Sequence, residues 1–248
     1  MFDSIAGDYD SLNHILSLDV DKIWRKKALK AIVDAPAPVE VLDLACGTGD
    51  FSIAIAKSLR KRHPDRLDDS HKPVTSTGSV TGKSPSGHVT GVDLSEGMLA
   101  VMREKVSKAG LTEMISIEEG DGENLRFPDN TFDRVTIAFG IRNFEDREKG
   151  LREMRRVLKP GGRLVLLELS RPENKVIRWF YDLYFLHILP KIGGKVSGDK
   201  AAYAYLPASV AAFPGKKQFT ATMRSAGFQS VTHKALTLGI CRMYTGEK

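Results

Sequence analysis

A chain of 248 residues with 42% hydrophobic and 27% charged residues has the composition of a soluble globular protein of one domain. No apolar run approaches the roughly 18 residues a membrane span needs, and the N-terminus lacks a signal-peptide pattern. Two cysteines, Cys46 and Cys241, are too few for a zinc cluster on their own. We therefore expect a cytoplasmic protein in a reducing compartment, with no metal site. The net charge of +6 could suggest nucleic acid, but residues 58–88 hold six Lys/Arg against three Asp. Much of the remaining excess is spread along helices as solvated faces, so no nucleic-acid partner is expected.

Residues 1–38 read as an N-terminal helical segment. From residue 39 onward, apolar runs alternate with helical patterns, which argues for a parallel sheet with crossover helices. The spacing predicts strands at 39–45, 89–93, 115–119, 133–139 and 162–168, and helices at 51–60, 95–109 and 147–158. "LKPGG" (158–162) should end a helix and turn tightly into the next strand. "FQSVTHKALTLGICRMYTGEK" reads as two strands joined tightly at a sheet edge. Two segments stand apart: 58–88, rich in Ser, Thr, Gly, Pro and Lys, reads as a long surface loop, and the aromatic stretch 172–214 as a covering insertion.

The first strand runs into a glycine turn and a helix, "VLDLACGTGDFSIAIAK" (41–57). A dinucleotide fingerprint would be G-x-G-x-x-G; Gly47 and Gly49 are present, but Ser52 stands where the third glycine should be. Asp43 within the strand and Asp50 directly after Gly49 make the turn acidic. That suits a cationic ligand such as S-adenosylmethionine better than a pyrophosphate. Cys46, inside the turn, reads as a small buried residue. Asp93 ends the second strand, where a carboxylate can accept both ribose hydroxyls, although an NAD enzyme would use an acid there too. Asp121 follows the third strand, where an acid can bind the exocyclic amine of adenine. Each has a plainer reading: a tight turn for the glycines, a helix cap for Asp93 (Ser95 is the better cap), and an ordinary turn for Asp121.

The chain resembles the C-methyltransferases of menaquinone and ubiquinone biosynthesis. The likeness runs through "MFDSIAGDYDSLNHILSLDVDKIWRK", "VLDLACGTGD", "GVDLSEGML" and "FPDNTFDRVTIAFGIRNFEDREKGLREMRRVLKPGG", then "FLHILPKIGG", "YAYLPASVAAFP" and "MRSAGFQSV". It omits only residues 58–88. It implies a Rossmann-like class I fold with a mostly parallel seven-stranded sheet and an antiparallel last strand. It implies S-adenosylmethionine as cofactor, held by Thr48, Asp93, Asp121 and Gly122 beside the Gly47 and Gly49 turn, and Arg142 and Asn143 at the active site. Some relatives have a serine contacting the cofactor where this chain has Ala138, so that contact is not carried over. The substrate implied is a polyprenyl quinol. The "LTLGICRMYTGEK" ending is more similar to the menaquinone branch, with a ubiquinone-precursor benzoquinol as the alternative.

A quinol resembles a phenol with a pKa of about 10, so its oxygen must be deprotonated or strongly hydrogen-bonded before a ring carbon attacks. Arg142 is the leading candidate to stabilise the phenolate, against a structural ion pair to a nearby acid. Tyr9 and His187 are candidates for proton transfer or orientation, and Tyr203 and Tyr205 are weaker ones. Trp179 and Phe185 belong to an aromatic stripe that reads as a wall of the quinol pocket, with a peripheral contact to the inner face of the membrane. A homodimer is left open. Three rival readings fare worse. A dehydrogenase lacks the third glycine, a nucleic-acid methyltransferase lacks an N-P-P-Y or Pro-Cys motif, and a non-catalytic S-adenosylmethionine-binding scaffold would have no need of an intact "FGIRN".

Overall fold

The computed structural model describes residues 20–36, 38–62, 87–184 and 200–248, with the backbone alone for 200–204. Its strands are β1 (Val39–Leu44), β2 (Gly87–Asp93), β3 (Ile115–Glu119), β4 (Phe132–Ala138), β5 (Leu158–Leu169), β6 (Gln229–Leu236) and β7 (Cys241–Glu247). They form one seven-stranded sheet in the order β3-β2-β1-β4-β5-β7-β6. The pairs from β3 to β5 are parallel, and β7 runs antiparallel to both β5 and β6. This is the sheet the sequence leads one to expect.

Parallel neighbours need crossovers, and the described helices are α1 (Val20–Val33), α2 (Asp50–Arg62), α3 (Glu96–Lys108), α4 (Arg147–Val157), α5 (Lys175–Leu183), α6 (Lys200–Ala212) and α7 (Lys216–Ser225). Strand alternation sends Val39, Val41, Val165 and Leu167 to one core and Leu42, Leu44, Leu164 and Leu166 to another. Trp24, Ala28 and Ile32, four residues apart on α1, close the first core, and Leu151 and Met154 of α4 with Phe219 and Met223 of α7 close the second. Each fully buried Leu or Ile in these layers contributes about 1.5–3 kcal/mol.

Element limits shift slightly from the sequence reading. Helix α2 runs on to Arg62, and the predicted loop falls mostly on 63–86, outside the described residues. "LKPGG" is already strand: Leu158 pairs with Phe132, and the register then slips before Arg134 meets Arg163. Gly161, at φ 74°, makes the bulge possible. Strand order reverses at β1, with β2 on one side and β4 on the other. In open α/β sheets the crevice beyond that reversal is where ligands sit.

Candidate active site

The two central strands end in strained backbone. Ala45 follows β1 at φ 50° and Phe139 follows β4 at φ 64°, with Gly47 and Gly49 also in the left-handed region. A bulky residue there is an outlier that the surroundings must enforce, and such residues cluster at functional sites. Gly140 has no room for a side chain, since a Cβ would lie 2.5 Å from that of Ala45. Around this junction open two cavities, of about 530 and 370 Å³, that share Ala45, Gly47, Ala138 and Phe139.

Asp93, Asp121, Gly122 and Asn143 line the smaller cavity. Asp93 accepts the Gly47 N–H through Oδ2 and the Ser95 N–H through Oδ1, both at 2.9 Å, so it ties the glycine turn to the start of α3. Ser95 itself caps α3 by accepting from the Met98 N–H, as expected. Asp121 is exposed and accepts the Glu123 N–H at 2.8 Å. A carboxylate oxygen can accept more than one hydrogen bond, the chemistry a ribose or an exocyclic amine requires. Gly122 is required by packing, because a Cβ would lie 2.5 Å from the Phe144 ring.

The acidity of the turn is not uniform. Asp50 is paired with Lys105 at 2.6 Å and Arg25 at 3.4 Å, so the structure corrects the expectation that its charge serves a ligand. Lys105 also donates to the hydroxyl of buried Thr48 at 3.1 Å. Asp43 is buried on the cavity side of β1 and accepts from Ser52 Oγ at 2.5 Å. Burial pushes its carboxyl from 3.8 up to about 7, against the opposing pull of the Ser52 hydrogen bond and Arg25. Ser52, the residue that breaks the dinucleotide fingerprint, is therefore the partner of this acid. Cys46 packs against the first core, its thiol 3.5 Å from Met102 Sδ, while the residue also lines the larger cavity.

The larger cavity is walled by aromatic and aliphatic side chains, among them Trp24, Phe139, Ile177, Phe180, Tyr181 and Leu206. Arg142 also lines it. Its Nη1 is paired with Glu168 Oε1 at 2.9 Å and also donates to the Phe139 carbonyl; its Nε reaches Ser209 Oγ at 3.3 Å. Glu168 is fully buried and also accepts the N–H groups of Arg142 and Leu169 at 3.1 and 2.8 Å. Arg142 thus has the ion pair that was its plainer reading, and lies on the cavity wall as well. Helix α6 adds a second tie, Tyr205 Oη donating to Asn143 Oδ1 at 2.9 Å. Burial pushes the Tyr181 phenol well above the ordinary tyrosine range.

The crevice therefore brings together Gly47, Thr48, Asp93, Asp121, Gly122, Arg142 and Asn143, while Gly49 packs beneath the turn, where a Cβ would meet Met102. Tyr9, His187 and Phe185 lie outside the described residues, as does the side chain of Tyr203. Sequence reasoning assigned no role to Glu168 or Ser209. The one signal for Glu168 was an acid at the end of an otherwise apolar strand.

A sheet of this order over an acid-lined crevice is the architecture of Rossmann-like class I methyltransferases, which use S-adenosylmethionine. A S-adenosylmethionine-dependent methyltransferase from Aquifex aeolicus shares it at TM-score 0.57 and 18% identity, over 90% of this chain and 88% of that one. The [4+2]-cyclase SpnF shares it too, at TM-score 0.63 and 17% identity over 91% and 80%, so the fold alone does not carry the reaction. The family model does: the ubiE/COQ5 methyltransferase family matches residues 1–248, and the chain belongs to that family. It is 42% identical to a demethylmenaquinone methyltransferase of Bacteroides fragilis, over 100% of this chain and 91% of that one. A ubiquinone/menaquinone biosynthesis C-methyltransferase UbiE of Geobacter sulfurreducens is 45% identical over 100% and 87%. A demethylmenaquinone methyltransferase of Thermus thermophilus is 40% identical over the full length of both.

Proposed function

We propose that the protein methylates a ring carbon of a polyprenyl quinol, demethylmenaquinol in preference to a ubiquinone-precursor benzoquinol. The observation that carries this reading is the junction of the two cavities: a carboxylate-lined one and an apolar one meet at Gly47 and Phe139. S-adenosylmethionine, when bound, supplies an electrophilic methyl group on a sulfonium. Its fit rests on the donor set. Asp93 and Asp121 offer acceptors to an adenosine in the smaller cavity, with Gly47 and Gly122 lining its bed, Gly49 supporting the turn from beneath and Thr48 on the side of the larger cavity. Asp43, which among the described residues makes no ion pair and feels Arg25 only at a distance, favours positive charge at the junction.

The chain's task is then alignment and charge control, and alignment alone can supply several kcal/mol. Arg142 steadies the quinol oxygen as it becomes a phenolate, and Glu168 holds the guanidinium in place. One proton leaves the substrate for each methyl gained; Tyr9 and His187 remain the groups proposed to take it or pass it on. From the expected cover, α5 and α6 supply Ile177, Phe180, Tyr181 and Leu206 to the wall of the proposed quinol pocket. The exposed side chains of Val176, Trp179, Phe180 and Leu183 fall on one face of α5, and Lys26, Lys27 and Lys30 are exposed on α1. These suit a peripheral contact with an anionic bilayer, although among the described residues no helix is long and apolar enough to cross one.

The test is methyl transfer from labelled S-adenosylmethionine to demethylmenaquinone carried in anionic vesicles, with and without dithionite. Product should form only under reduction, because the quinone lacks the nucleophilic ring. Cofactor binding without product, on this or a ubiquinone precursor, would remove the substrate assignment. Vesicle association should weaken with salt and with Trp179→Ser; indifference to both would remove the bilayer contact.

A further inference from the structure

The turn between β6 and β7 holds three consecutive residues at positive φ: Thr237 (43°), Leu238 (56°) and Gly239 (91°). Glycine takes up that region freely, whereas a β-branched threonine and a leucine do so only when something holds them. The holding contacts come from distant parts of the chain. Trp24 Nε1 on α1 donates to Thr237 Oγ1 at 2.8 Å, across 213 residues of sequence. Ser170, just beyond β5, donates through Oγ to the Gly239 carbonyl at 2.6 Å and through its N–H to the Ile240 carbonyl at 2.9 Å. The product of this bracing is a leucine that is 71% exposed and yet lines the larger cavity. From a separate element, α5, Phe180 does the same at 59% exposure.

Leu238 is mostly exposed where it stands, and Phe180 is covered on one side only, by the Trp179 ring at 4.9 Å. Asn or Gly would relax the turn, and a polar residue would suit the solvent. Strain retained in this way at the edge of a cavity points to a ligand. An apolar side chain at the rim of an apolar cavity, whose wall carries Arg142, selects an occupant with a polar head and a hydrocarbon extension. We propose that Leu238 is a specificity-determining residue: with Phe180 it grips the first isoprenoid units of the substrate's tail while the quinol ring lies inward, beside Arg142. This inference rests on the polyprenyl-quinol reading and adds where the tail is sensed.

The experiment compares Leu238→Asn with the unaltered protein on two reduced demethylnaphthoquinols, one with a tail of several isoprene units and one with none. Asn tolerates positive φ, so the variant should melt at an unchanged or higher temperature. Its kcat/KM on the tailed quinol should fall at least about tenfold, mainly through KM, as a few buried methylene contacts are lost. Its kcat/KM on the tailless quinol should stay within about twofold, and Leu238→Met should retain tailed activity. Equal losses on the two substrates, or no loss on the tailed one, would overturn the proposal. Turnover of both quinols by the unaltered protein tests the underlying reaction separately, and failure there would sink that reading and this one together.

Discussion

Asp43 on β1 and Glu168 on β5 are both buried carboxylates near the carboxyl ends of their strands, one beside a hydroxyl and the other beside an arginine. Glu168 is well satisfied: Arg142 neutralises it, and two backbone N–H groups take up further lone pairs. Its charge is committed to holding one guanidinium at one place. Asp43 has Ser52 beside it, Arg25 only as a more distant influence, and a carboxyl carried up to about 7. A site that handles a cationic donor and an anionic nucleophile needs both kinds of acid. One is fixed before any ligand arrives, and the other acquires full charge when a cation arrives to offset it.

The largest effect should come from breaking the fixed pair. Arg142→Ala leaves the Glu168 carboxylate buried without its cation, which should cost roughly 3–5 kcal/mol of stability and reduce methyl transfer to background. Arg142→Met combined with Glu168→Leu should recover most of the melting temperature without recovering turnover. Restored turnover in that double variant would show the pair to be scaffolding alone.

Next comes the adjustable acid. Because the Asp43 carboxyl is raised from 3.8 to about 7, the folded protein holds a proton that the unfolded chain releases. The contribution of Asp43 to the stability of the ligand-free protein is therefore greatest at low pH and falls as pH rises between about 4 and 7, readable as the difference from Asp43→Asn. The total loss is on the order of 4 kcal/mol at most. Cofactor binding has the opposite sign, tightening by up to about tenfold per pH unit as pH rises towards 7. Calorimetric titrations from pH 5.5 to 8.5 should show that slope in the natural protein and none in Asp43→Asn. A flat profile in both would separate Asp43 from the cofactor.

The smallest effects belong to the ties from α6. Tyr205→Phe removes one hydrogen bond, to Asn143, and Ser209→Ala removes two, from Arg142 and to the Leu206 carbonyl, each worth about 0.5–1.5 kcal/mol. Each should lower kcat about 3–10-fold with little change in melting temperature. A loss confined to cofactor affinity would place α6's influence elsewhere.

The order in which sequence features were legible follows how local they are. The β1 turn could be read because a buried strand, two glycines and a helix start lie within 17 residues. Ser95 could be read as a cap from its neighbours alone. Glu168 could not, since what makes it a site residue is Arg142, 26 positions away and on the far side of β4's end. Ser209 and Tyr205 reach residues 67 and 62 positions away, and Trp24 reaches Thr237 across most of the chain. Periodicity carries none of these pairings. Asp50 misled for the same reason: beside Gly49 it looks available, and only the fold brings Lys105 to it.

Strand β7 lies between β5 and β6, and it pairs Arg242 with Glu168 across the sheet. Residues 241–247 are thus the keystone of a sheet whose other strands are all synthesised earlier. On the ribosome β5 must wait with one edge bare while some seventy residues follow it, a non-local pairing of the kind that slows folding and invites aggregation. The turn ahead of that strand, which brings Thr237, Leu238 and Ile240 to the larger cavity, is set in place only when β7 pairs with β5. A nascent or shortened chain lacking it would therefore leave the methyl-transfer site unfinished, which restricts the chemistry to chains that have passed this last assembly step.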